Sequence, residues 1–149
     1  MLLKQKIYNH FLQVVNDKID LLQQTLADLK ESGANETKST AGDKHETALA
    51  MLQIEQENKR VQLQDVMLQK TALEKIDPTL APSVIVNGSL IKTDKGYFFM
   101  SLGLGKAVID GVTVIAISSK SPLGAILMGL KTGDTANFNS NIYVIDSIL

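Results

Sequence analysis

The sequence has no cysteine, no tryptophan, only three prolines and a single arginine, Arg60. Without cysteine there is no disulfide, no thiol nucleophile and no zinc held by sulfur, and a reducing compartment, the cytoplasm, is expected. Long apolar runs are missing as well. The longest, 112–117, falls far short of the roughly 20 residues that cross a bilayer, and the N-terminus lacks the apolar segment and cleavage site of a secretory signal. No membrane partner is expected. Neither sign of charge dominates: Lys and Arg number 15 against 16 Asp and Glu. The balance also holds locally, with four of each sign in 2–31 and five of each in 77–149, so no strongly basic face advertises nucleic acid. With 44% hydrophobic content over 149 residues, the chain reads as globular, with one compact domain or two small ones.

What is present changes character at Asp77-Pro78. Before it lies a proline-free stretch rich in Leu, Gln, Lys and Glu; after it come Val, Ile, Gly and Ser. This predicts two domains, 1–77 and 78–149. In the first, Ile7, Phe11, Val15, Ile19, Leu22, Leu26 and Leu29 recur at steps of three or four, the stripe of an amphipathic helix. After a polar stretch, 32–42, the spacing resumes at Leu49, Leu52, Gln56, Lys59, Leu63, Val66, Lys70 and Leu73. Neither helix can bury its stripe alone, and the short loop forces them antiparallel, so the prediction is a coiled-coil hairpin with arms roughly 45 Å long.

From Pro82 onward the pattern is β. Segments 89–93, 97–102, 112–118, 135–138 and 142–148 are rich in β-branched and aromatic residues, and turns are expected at 94–96, Asp110-Gly111 and 139–141. One helix interrupts them, with Ser121 as cap, Pro122 at its first position and Gly129 closing it. Gly103 and Gly105 lack the spacing of a phosphate loop and suit a bulge or strand end. The fold class is α+β: a helical hairpin followed by a small antiparallel sheet with one short helix.

Two stretches carry chemical information. Gly42-Asp43-Lys44-His45-Glu46 places two carboxylates three apart at the expected hairpin tip, on one side of a helix turn. The same spacing is a capping box, which satisfies free N–H groups at a helix start. The second stretch is Ser118-Ser119-Lys120-Ser121-Pro122-Leu123-Gly124, followed by Leu127, Gly129, Lys131, Gly133 and Asp134. Together they resemble the Gre transcript-cleavage family, whose members join an N-terminal coiled-coil hairpin to a C-terminal domain of the FKBP-like fold. The order of hairpin, tip acids, linker, sheet and Ser-Pro helix is similar over nearly the whole chain.

The resemblance implies a transcription elongation factor whose partner is RNA polymerase. Its hairpin would enter the secondary channel and bring Asp43 and Glu46 to the polymerase's own metal site. There they would help hold a Mg²⁺ shared with the polymerase, which takes only one or two carboxylates from any one protein. The polymerase would then cleave its backtracked transcript. The factor alone would be no enzyme and would bind no cofactor by itself. Lys59 and Arg60 would meet the nascent RNA 3′ end, and the Ser121, Pro122, Gly124 segment is a candidate for docking or for a purely structural role. A monomer is expected. Two alternatives stay open: a channel regulator without cleavage activity, and a coiled-coil adaptor that dimerises through its hairpin. His10 and His45 have no partner cluster in the sequence, and the aromatics of the second domain suit a core better than a prolyl isomerase pocket.

Overall fold

The computed structural model describes residues 2–37 and 43–149, with side chains described over 2–35 and 46–149. Two long helices, α1 (Leu3–Thr37) and α2 (Asp43–Glu74), precede β1 (Leu90–Thr93), β2 (Gly96–Ser101), β3 (Gly105–Ile109) and β4 (Val112–Ser118). The short α3 (Pro122–Leu127) then leads to β5 (Thr135–Phe138) and β6 (Asn141–Ile148). The chain forms two compact units, 15–71 and the pair of segments 1–14 and 72–149. The expected boundary at 77 follows composition; the observed division follows packing, because the first turns of α1 and the last of α2 belong with the sheet.

The unit 15–71 is the antiparallel hairpin. Gln56 donates its amide to the Leu29 carbonyl at 3.2 Å, while Lys18 and Leu22 sit beside Gln62 and Val66. Residue numbers that face each other thus rise on one helix as they fall on the other. The seam is the one the spacing predicts: Ile19, Leu22, Leu26 and Leu29 on α1, and Leu49, Leu52, Gln56, Lys59, Leu63, Val66 and Lys70 on α2, are all buried or half-buried. The helix α1 continues to Thr37 through the stretch expected to be loop. Gly33 does not break it. A Cβ there would come 3.7 Å from the Gln56 amide, so the small residue sits beside a polar side chain of the facing helix.

In the other unit the strands run in the order β3-β4-β2-β1-β6-β5. The sheet is mixed, and this corrects the all-antiparallel expectation: β2 and β4 pair in parallel, Phe99 beside Ala116. The reason is β3, a strand that the sequence pattern does not predict beyond a bulge or strand end at Gly103 and Gly105. It pairs antiparallel with β4 through Asp110-Gly111, whose φ values of 53° and 76° are those of a tight hairpin turn with both central residues left-handed. The chain leaves β2, forms this edge strand, and returns as β4 beside β2.

Alternation along the strands builds two cores. Ile91, Phe98, Met100, Ala136 and Ile145 pack with Leu127 of α3 and with Ile85. Leu90, Phe99, Val114 and Ala116 face the other way and are covered by Ile7 and Phe11 of α1. Phe11 stacks on Phe99, with centroids 6.2 Å apart and planes 18° from parallel. The sheet is thus covered on both faces, where one packed helix had been expected, and the uninterrupted apolar run Tyr97-Phe98-Phe99-Met100 is what such a strand requires.

Candidate functional site

The tip acids lie where α2 begins. Asp43 is its first residue, and Glu46, one turn on, is exposed. Residues three apart on a helix occupy neighbouring positions of one face, so positions 43 and 46 share one side of the first turn. The Asp43 and His45 side chains, and Gly42, lie outside the described residues, as does the hydrogen bonding that would distinguish a cap from a free ligand. Among the described residues no cluster of three or more acidic, histidine or cysteine side chains is placed to hold a metal ion. Two acids on one turn supply at most part of a divalent cation's oxygen shell, which leaves the rest to water or to a partner.

Lys59 and Arg60 are not brought to this turn. They sit about 20 Å further along the same helix. Lys59 belongs to the seam and pairs with Glu55 at 3.6 Å. Arg60 is exposed, 3.4 Å from Glu57 and 3.4 Å from the Gln56 side-chain oxygen. Exposed pairs of this type contribute little, yet each cation has an acidic neighbour on its own helix.

The Ser-Pro segment has a clear local role. Ser121 caps α3: its Oγ accepts the Gly124 N–H at 3.1 Å and donates to the Ser118 carbonyl at 2.6 Å. Pro122 occupies the first turn, where its missing N–H costs nothing. Gly124 is buried against Ser118, so tightly that a Cβ would lie 1.9 Å from the Ser118 oxygen. Ser121 and Gly124 are therefore consumed by the helix entrance, while Pro122 remains exposed. His10 is also exposed and meets the Phe11 ring edge-on at 5.2 Å.

One arrangement was not anticipated. Lys4 is buried, at 6% exposure, and its ammonium donates to the Leu80 carbonyl at 2.5 Å. Burial lowers its pKa more than the attraction of Asp77 raises it. The Asp77 carboxyl is held below its ordinary range, chiefly by the Thr79 hydroxyl and then by the Thr79 N–H. Both residues line a cleft with Ile76 and Val86. The sequence does carry a trace of this: Lys4 continues the apolar stripe of Ile7 and Phe11, a position where a charge needs a reason.

No described helix is long and apolar enough to cross a membrane. No protein-family model matches the chain, and no curated protein matches it. Among solved structures, similarity is found to the GreA factor homolog 1 (Gfh1) protein of Thermus thermophilus. That chain is 17% identical, with 95% of this chain and 94% of that one covered and a TM-score of 0.35. A second structure, of the transcription factor Gfh1, is 15% identical over 95% and 92% of the two chains, also at a TM-score of 0.35. Likenesses this distant assign no activity.

Proposed function

We propose that this chain is a transcription elongation factor that binds RNA polymerase through its secondary channel and stimulates the polymerase's intrinsic cleavage of backtracked RNA. The observation that carries the reading is the pair Asp43 and Glu46 on the first turn of α2, directly after the hairpin reversal. A two-carboxylate turn is too sparse to hold Mg²⁺ alone and well suited to complete a metal shell that another protein begins. The Ser118–Gly124 segment, whose family likeness extends to Gly133 and Asp134, supports the same reading. In this reading the factor lends charge and orientation and performs no chemistry in isolation; the polymerase supplies the catalytic centre.

The experiment is a purified backtracked elongation complex in magnesium. The native chain shortens the RNA from its 3′ end, and the double variant Asp43→Asn with Glu46→Gln does not. Asn and Gln preserve capping ability, so an unchanged helix content beside lost cleavage isolates the metal role. Persistent cleavage by the double variant overturns it.

A second reading has its own support. Lys59 and Arg60 each sit beside a glutamate of the same helix, which reduces their attraction for an RNA 3′ end. A channel regulator that binds without promoting cleavage fits that pairing, and the same assay identifies it: competition with elongation and no shortening of RNA by the native chain.

A further inference from the structure

The cleft at Lys4 lies within the unit that contains the sheet, is about 590 Å³ in volume, and is built from the start of α1, the end of α2 and the linker that follows. That volume is in the range of small-molecule sites, roughly 300–1,000 Å³. Its walls are aliphatic, with Ile76, Leu80, Pro82 and Val86. Leu80 is 62% exposed and Val86 38%, so apolar surface stands open beside the part-buried ammonium of Lys4.

An ammonium has three N–H donors. The Leu80 carbonyl accepts from Lys4, and among the described residues no carboxylate forms an ion pair with it. Asp77 attracts Lys4 without pairing with it, and its Oδ1 accepts the Thr79 N–H at 2.9 Å and the Thr79 hydroxyl at 2.5 Å. A part-buried cation facing a neutral carbonyl is under-compensated, and a counter-ion that reaches it gains a charge-assisted hydrogen bond away from bulk water. Lys75 also lines the cleft, so the local balance of Lys4 and Lys75 against Asp77 is a single positive charge. That balance suits a monoanion and disfavours a more highly charged group.

We propose that this cleft binds a small aliphatic carboxylate, with Lys4 anchoring the carboxylate and Leu80, Val86 and Ile76 covering the hydrocarbon body. The site is independent of the hairpin acids and of the polymerase reading.

The test is an NMR titration of the full chain with sodium hexanoate at constant ionic strength, with hexanamide and inorganic phosphate as parallel arms. Hexanoate is expected to give saturable shifts at Ile76, Leu80 and Val86. Hexanamide, which keeps the body and loses the charge, should bind about tenfold more weakly or worse, the contribution of a charge-assisted hydrogen bond. Lys4→Met should produce a similar loss for hexanoate. Because Lys4 is buried and its replacement can disturb the start of α1, the Lys4 Cε signal of the native chain provides a second readout. Its titration should move to higher pH when hexanoate is bound. No saturable shift, equal binding of hexanamide, phosphate binding as tight as hexanoate, or an unmoved Lys4 signal would each overturn the proposal.

Discussion

Replacing Gly124 by alanine tests the account of the Ser-Pro segment, because two physical effects give it opposite signs. Helix propensity alone favours alanine by about 1 kcal/mol. Packing opposes it: the new Cβ would lie 1.9 Å from the Ser118 carbonyl oxygen, 2.8 Å from its carbon and 2.8 Å from Ser121 Oγ. Restoring ordinary contact, which begins at 3.4 Å, needs a displacement of about 1.5 Å between α3 and the end of β4. That movement breaks the Ser121 bonds to Gly124 and Ser118. Loss of a cap costs about 1 kcal/mol and overpacking against backbone about 1–3 kcal/mol, so after the propensity gain of about 1 kcal/mol Gly124→Ala should destabilise by about 1–3 kcal/mol. Urea unfolding followed by circular dichroism measures it, with Ser121→Ala as a companion expected to cost about 1 kcal/mol. The double variant should cost less than the sum, since both changes release the same Ser118 carbonyl. A Gly124→Ala protein within about 0.5 kcal/mol of the native one, or strict additivity with Ser121→Ala, would refute the shared role of Ser121 and Gly124 at the Ser118 carbonyl.

Three further outcomes follow from other parts of the molecule. Phe11→Ala, which empties the α1 side of the sheet opposite Phe99, should destabilise by about 3–5 kcal/mol; a much smaller loss in urea would mean that α1 does not cover that face. Ser101 is buried and its Oγ has no hydrogen-bond partner among the described residues, so Ser101→Ala should stabilise by about 1 kcal/mol, and unchanged or reduced stability shows that a water satisfies the hydroxyl. Asp94 accepts the Val144 N–H at 2.8 Å, which, ahead of the nearby Lys95, holds its pKa below the ordinary value of 3.8. Its contribution is therefore present above that value and lost as pH falls through the lowered one. Melting temperatures taken from pH 5 down to pH 2 should fall less steeply in Asp94→Ala than in the native chain, and parallel curves would deny Asp94 that role.

The hairpin seam was legible because a helical stripe has one period and one meaning. Even Gln56, Lys59 and Lys70 fall on it, and their polar character did not mislead the assignment. Strands β4 and β5 match their expected limits because β-branched runs end at strong turn signals. The strand β3 was lost for a physical reason: it is an edge strand, half exposed along its length, so Lys106 and Val108 need not follow a buried pattern. Yet the Asp110-Gly111 turn already called for a strand on each side of it, and that signal was available. The parallel pairing of β2 and β4 was not legible, since strand order depends on contacts between segments rather than on any one of them.

The limits of reading a site have the same origin. Asp43 and Glu46 are three apart in sequence, so one helical turn is enough to put them together, and no tertiary fact is needed to propose them. Ser121 and Gly124 are equally local, but a docking role and a structural role use the same residues, and only the 1.9 Å approach to Ser118 shows that packing fixes glycine there. Lys4 and Asp77 stand at opposite ends of the hairpin sequence and meet only because α1 leaves from, and α2 returns to, the same sheet-containing unit. A helix that must cover Phe99 and Val114 with Ile7 and Phe11 carries Lys4 inward one turn earlier on the same stripe. The burial of Lys4 is thus a consequence of core packing, and saturable hexanoate shifts at Ile76, Leu80 and Val86 would show that the same packing also builds a carboxylate site.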